Sequence, residues 1–128
     1  MKENKISIEI AKPLQNVFRF TINPLNTHKW VRSIVVEETN EYPPKLGTIY
    51  RNQGRDNKWN EYKVSEFEEN KIFQLSALDN TYHVKYTYQA INENITAMEY
   101  YEWVTKGELT SPFTLDDLEL LKLVMESN

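Results

Sequence analysis

The sequence predicts one α+β domain built on a curved antiparallel β-sheet. The first segment alternates Ile6, Ile8 and Ile10 with polar residues, which is the period of a half-buried strand. After residue 33, short strand-like segments are separated by turn residues at intervals of about a dozen, the rhythm of an antiparallel meander. The last segment changes to a helical period, so a helix is expected to cover the sheet.

Composition excludes several classes of protein. At 128 residues, without a linker or an internal repeat, the chain is expected to be a single domain over residues 1–128. The absence of cysteine excludes disulfides and thiolate chemistry, and the charged start is unlike a signal peptide, so we expect a cytoplasmic protein. A net charge of −4 with scattered Lys and Arg disfavours nucleic-acid binding, and no segment approaches the ~20 apolar residues of a membrane span.

Two short helical pieces are predicted to follow the first strand. Pro13 suits the first position of a helix that ends before Pro24, because the residue before a proline is pushed out of the α region. A second turn of helix, or an ordered loop, should carry Leu25, His28 and Trp30. The following strands are predicted near residues 34–38, 48–53, 59–67, 72–78, 81–91 and 95–105.

The C-terminal helix is predicted over residues 115–126. Thr114 and Asp117 form a capping-box pattern, and Phe113 is placed to form a hydrophobic staple with Leu118. The helix should pack on the concave face of the sheet through one apolar stripe, namely Leu115, Leu118, Leu121 and Met125.

One strand carries an unusual number of tyrosines on one face. Tyr82, Val84, Tyr86 and Tyr88 alternate with polar residues, so they share a face that is expected to be buried. Each buried hydroxyl costs roughly 1–3 kcal/mol if it lacks a partner. Two interpretations stay open: a tyrosine-rich core whose hydroxyls reach the backbone or water, or a cavity that a ligand fills in part.

The register of the next strand depends on the connecting loop. If residues 92–94 form a three-residue loop, Ile91 faces Ile95, and the tyrosine face lies opposite Met98, Tyr100 and Glu102. A two- or four-residue loop would instead bring in Glu99, Tyr101 and Trp103. We prefer the first register, which makes Glu102 a candidate carboxylate on an apolar face; the alternative is a glutamate that reaches solvent at the rim.

These considerations give a set of candidate ligand-binding residues without a clear catalytic centre. Glu102 is the one weak candidate for proton transfer, and His83 is expected at the surface. No metal-ligand spacing, serine elbow or glycine-rich phosphate loop is found, so neither a metal nor a cofactor is expected. The candidate ligand-binding residues are Trp30, Tyr62, Tyr82, Tyr86, Tyr88, Met98, Tyr100, Glu102, Leu118 and Leu121.

The order of elements resembles the START-related superfamily of polyketide cyclases/dehydrases and lipid-transport proteins, also called SRPBCC. The residues that carry the resemblance are 8–13 leading to Val17 and Phe18, then 23–30, Gly47-Thr48, 64–67 and 94–96. It implies a helix-grip fold, in which a curved antiparallel sheet wraps around the C-terminal helix, and a deep cavity for hydrophobic molecules. Catalytic residues are not shared across the superfamily. The C-terminal helix is short for it, so the cavity should be small or open at one end.

Three functions remain open, each typical of a different class of protein. We favour binding of a hydrophobic or aromatic small molecule between sheet and helix, because a tyrosine face lacks an acid/base pair. A cyclase- or dehydratase-like enzyme would need a proton donor, for which Glu102 with Tyr86 or Tyr100 is the available pairing. A chaperone- or partner-binding module would need an exposed apolar patch, for which Tyr101 and Trp103 are candidates. A homodimer is left open.

Overall fold

The computed structural model describes residues 1–127 and contains a seven-stranded antiparallel sheet. The sheet curls into a half-barrel with the strand order β1-β7-β6-β5-β4-β3-β2, which confirms the predicted fold class. The strands are β1 Glu3–Ile10, β2 Ile34–Thr39, β3 Ile49–Gly54, β4 Trp59–Glu68, β5 Ile72–Ala77, β6 Tyr82–Asn92 and β7 Ile95–Val104.

Two short helices follow β1, as predicted. Helix α1 covers Leu14–Ile22, and a 3₁₀ helix covers Pro24–Lys29. Pro13 lies at the N-cap of α1, one position before the predicted one, and the Asn23 side chain accepts a hydrogen bond from the Leu25 N–H (3.0 Å) to start the 3₁₀ helix. In residues 1–127 neither α-helix has the length and apolar character needed to cross a bilayer.

Helix α2 covers Leu115–Glu126, the predicted bounds. The Asp117 carboxylate stabilises its start by accepting a hydrogen bond from the Thr114 N–H at 2.8 Å, which is the back-bond of the predicted capping box. Leu118 and Leu121 are fully buried, and the helix packs mainly against β1. Leu115 is 49% exposed, so its predicted place in the buried apolar stripe is wrong. The helix therefore covers the β1 end of the sheet.

The β6–β7 hairpin has the predicted register but a different turn. Tyr86 pairs with Tyr100, as the three-residue loop predicts. However, Asn92 pairs with Ile95, so the loop has two residues and the predicted pairing of Ile91 with Ile95 is wrong. A register shift between Ala90 and Asn92 adds one residue to β6 and restores the alternation, which is the effect of a β-bulge.

A second bulge reverses the burial expected for β2. The register of β2 against β3 shifts between Ile34 and Val36. As a result Glu37 faces the inside of the sheet and is 8% exposed, whereas Val35 and Val36 are 49% and 38% exposed. Strict alternation from Ile34 would turn Val36 inward, and the bulge turns the Glu37 carboxylate inward in its place.

Candidate functional site

A cavity of about 640 Å³ lies on the concave face of the sheet. Its floor comes from β2 to β7, and its other walls come from the 3₁₀ helix with the residues that follow it and from residues 108–113, which lead into α2. Helix α2 itself does not line it in the part of the chain that the structure describes. The predicted residues that line this cavity are Tyr62, Tyr82, Tyr86, Tyr100 and Glu102.

Aromatic rings form the centre of the cavity wall. The ring of Tyr86 lies 5.4 Å from that of Tyr100 and 5.9 Å from that of Phe73, centre to centre. Tyr62 and Tyr82 form an edge-to-face pair at 6.4 Å. Such pairs gain more than their buried area alone provides, so the wall is preformed and stiff.

Glu102 fastens residues 108–113 to the sheet. Its Oε2 accepts from the Phe113 N–H at 2.7 Å and from the Asn4 side-chain amide at 3.0 Å. Its Oε1 accepts from the Tyr82 hydroxyl at 2.8 Å. The Asn4 amide also donates to the Phe113 carbonyl (2.8 Å), and the Phe113 ring stacks on Tyr100 at 4.4 Å. Glu102 is 2% exposed, so the solvent-reaching alternative does not hold.

Glu37 is a second buried carboxyl group at the cavity. It receives the Thr27 hydroxyl at Oε1 (2.6 Å) and the Asn52 amide at Oε2 (3.3 Å). Burial raises the pKa of Glu37, and these two hydrogen bonds offset the increase only in part. Glu37 is not among the predicted site residues, because the β2 bulge that turns it inward has no signature in the strand's residue pattern.

The Tyr86 hydroxyl is free to bind something in the cavity. Tyr86 is 9% exposed and lines the cavity, yet among residues 1–127 no side chain or backbone group hydrogen-bonds its hydroxyl. The hydroxyl oxygen is not fully buried, so a molecule in the cavity can reach it. Burial, followed by the nearby Tyr88, Glu37, Tyr82 and Glu102, raises the pKa of this phenol well above its usual value.

The other five predicted residues lie in the packed core beside the cavity. Trp30 is 1% exposed, and its ring packs edge-on against that of Tyr86, 6.1 Å from centre to centre. Its indole N–H is the one buried polar side-chain group of residues 1–127 that lacks a hydrogen-bond partner. The Tyr88 hydroxyl bonds Thr21 Oγ1 at 2.6 Å, with Thr21 in turn donating to a backbone carbonyl of α1. The remaining residues of this group are Met98, Leu118 and Leu121, all fully buried.

Both histidines lie away from the cavity. His28 is exposed on the 3₁₀ helix. His83 is on the convex face, as predicted, but it is half-buried: its ring stacks on Trp103 at 4.9 Å and its Nδ1 lies 2.6 Å from Ser76 Oγ. Trp103 stacks in turn on Tyr101 at 4.8 Å. Within residues 1–127 no group of three or more His, Asp or Glu side chains is placed to hold a metal ion.

Several solved structures are similar to this chain. A START superfamily protein from Mycobacterium smegmatis is 12% identical with a TM-score of 0.75, and each chain is covered over 99% of its length. The protein XoxI from Bacillus cereus is 14% identical with a TM-score of 0.68, over 98% of this chain and 87% of that one. The Aha1 dimer from Colwellia psychrerythraea is 11% identical with a TM-score of 0.63, over 99% and 92%.

These likenesses concern the backbone. No protein-family model matches the chain, and neither does any curated protein. At 11 to 14% identity the similarity establishes a common fold and leaves the activity to be argued from the site.

Proposed function

Because the chain has the START-like helix-grip fold, we propose that it binds a hydrophobic or aromatic small molecule in the cavity and does not transform it. The observation that carries the proposal is the cavity itself. Its volume of about 640 Å³ falls within the ~300–1,000 Å³ of small-molecule sites. Its wall combines aromatic rings with a small number of polar groups, the composition that gives affinity from burial and orientation from hydrogen bonds.

Binding is favoured over catalysis because the groups that could transfer a proton are either hydrogen-bonded within the protein or lie outside the cavity. Proton transfer needs a group that can reach the reacting atom. The oxygens of Glu102 are already occupied by three donors, which makes this residue an anchor for residues 108–113. Neither histidine lines the cavity. Of the two buried carboxyl groups, only Glu37 would then keep free acceptor capacity for a cyclase- or dehydratase-like reaction.

The proposal is tested by titrating the protein with N-phenyl-1-naphthylamine, an uncharged apolar fluorophore whose emission rises in apolar surroundings. Val104 lines the cavity and is half-buried, so Val104→Trp should fill part of it and weaken binding. Val35 is exposed and lies outside the cavity, so Val35→Trp is the matched control. Equal binding by both variants, at unchanged thermal stability, would place the probe elsewhere and contradict the proposal.

Native mass spectrometry of the protein as purified gives a second test. A retained apolar molecule that dissociates unchanged supports binding. A retained molecule whose mass changes on incubation would favour the cyclase- or dehydratase-like alternative. The same spectra determine the number of chains in the particle, because a homodimer stays a prediction and the Aha1 neighbour is described as a dimer.

A further inference from the structure

We propose that the ligand of this cavity is an amphipathic amine: an apolar or aromatic body with a protonated amino group, for which Glu37 is the counter-ion. This inference rests on the proposed function, since both place the ligand in the same cavity. It adds the charge of the ligand and the residue that recognises it.

The first argument is the incomplete coordination of Glu37. A carboxylate offers about four lone-pair sites, and Glu37 uses two of them, for the neutral donors of Thr27 and Asn52. Glu37 is 8% exposed and forms no ion pair with a cationic group of residues 1–127, so its ionised form is costly. A cationic amine in the cavity would supply the missing charge and up to three further N–H donors.

Glu102 provides the internal comparison. Both carboxyl groups line the cavity and both are buried. Glu102 accepts three hydrogen bonds and ties two segments of the chain together, whereas Glu37 accepts two and ties the 3₁₀ helix to β2 and β3. Of these two carboxyl groups, Glu37 therefore has the larger unused capacity toward a ligand.

The second argument comes from the aromatic wall and the Tyr86 hydroxyl. Ring faces attract cations, most strongly where water is excluded. Tyr62, Tyr82 and Tyr86 all line the cavity, and the charge of Glu37 contributes to the raised pKa of both Tyr62 and Tyr86, so these phenols lie within its electrostatic reach. The unpartnered oxygen of Tyr86 can accept an N–H from the same amino group.

The third argument is the charge of the cavity as a whole. Besides the two buried carboxyl groups, Asp56 lies on its exposed rim, and so does Glu108, whose carboxylate is paired with the N-terminal ammonium group of Met1 at 2.6 Å. Arg55 is the one cationic side chain among the cavity-lining residues that the structure describes, and its Nε is engaged by the Arg32 carbonyl at 2.7 Å. This balance attracts a cation and disfavours a carboxylate or phosphate ligand.

The test compares three molecules that share one body and differ in charge. Tryptamine, tryptophol and indole-3-propionate carry an amine, an alcohol and a carboxylate on an indole-ethyl body. Octylamine, octanol and nonanoate repeat the comparison on an octyl body. Isothermal titration calorimetry should show each amine binding the wild-type protein about tenfold or more tightly than its alcohol, the effect of a hydrogen bond to a charged group. Each carboxylate should bind more weakly than its alcohol.

The variants assign the preference to Glu37. In Glu37→Gln the amine should lose its advantage over the alcohol, while the alcohol binds as in the wild type. Glu61→Gln is the matched control, because Glu61 is an exposed carboxylate on β4 that does not line the cavity.

The outcomes separate this proposal from the previous one. If the wild type binds alcohols or carboxylates as tightly as amines, or if the preference survives in Glu37→Gln, the amine assignment is wrong. Binding of N-phenyl-1-naphthylamine without binding of either amine also overturns it and leaves the proposed function standing. If neither the fluorophore nor any of the six molecules binds, both proposals fail. The wild-type comparison needs no variant, so a folding defect in Glu37→Gln does not remove the test.

Discussion

Removing the Glu102 carboxylate should destabilise the protein more than any surface change on the same strand. Three donors lose their acceptor in Glu102→Ala: the Phe113 N–H, the Asn4 amide and the Tyr82 hydroxyl. Hydrogen bonds to a charged group are worth about 1.5–3 kcal/mol each. Water that enters from the cavity can satisfy part of the loss, so we expect the free energy of unfolding to fall by about 3–5 kcal/mol.

Urea denaturation followed by circular dichroism measures this loss. Glu99→Ala is the matched control: Glu99 lies on β7 three residues away, on the opposite face and half-exposed, and should change stability by no more than about 0.5 kcal/mol. Hydrogen exchange at the Phe113 amide supplies a local measurement, since that N–H would lose its acceptor in the variant. A loss below about 1 kcal/mol in Glu102→Ala, with the Phe113 amide still protected, would refute the role of Glu102 as an anchor.

Three further predictions test the core and the second carboxyl group. Leu118→Ala should lower the free energy of unfolding by about 2–5 kcal/mol, as truncation of a fully buried leucine does, whereas Leu123→Ala, at a position 63% exposed, should change little in the same urea titration. Tyr88→Phe should cost about 0.5–1.5 kcal/mol because the hydroxyl bonds Thr21; a neutral result would mean that this hydrogen bond adds nothing to stability. Glu37→Gln should gain stability relative to the wild type as the pH rises from about 4 to about 8, because burial raises the pKa of Glu37 above its ordinary 4.5 and the wild type loses stability while that group ionises. A stability difference that stays constant across these pH values would contradict the burial argument.

Element type and bounds could be predicted from the sequence because they depend on local periodicity. The capping pattern at Thr114 and the helical spacing after it define α2 to the residue. Alternation along β6 and β7 identifies which residues share the concave face, and the pairing of Tyr86 with Tyr100 follows once a register is chosen.

The bulges in β2 and β6 could not be predicted, since a bulge depends on the pairing of two strands and leaves no pattern in either one. In the β6–β7 hairpin the bulge adds one residue and so compensates for a turn that is one residue shorter than predicted. The preferred register therefore holds although the predicted turn is wrong. In β2 the bulge changes which side chains face inward. Glu37 and Glu38 are adjacent glutamates that the sequence does not distinguish, and the structure buries the first and exposes the second. The polar side of the candidate site depends on this one-residue difference.

The cavity's boundaries were the other unpredicted feature. The predicted site lies between the sheet and α2 and therefore includes Leu118 and Leu121. In the structure those leucines fill the core near β1, while residues 108–113 and the 3₁₀ helix enclose the space further along the sheet. Segments without periodicity carry no signal for such a position, so their contribution emerges only from the tertiary contacts.

The anchor at Glu102 has a consequence for how the protein folds. Its partner Asn4 is 98 residues away along the chain, and β1, which carries Asn4, pairs with β7, the last strand in chain order within residues 1–127. Contacts of such long sequence separation make folding slow, because the entropy of closing the loop is lost before the contact forms. On this argument the cavity is completed in a late step of folding. A ligand that requires the finished cavity should then slow unfolding and leave the refolding rate nearly unchanged.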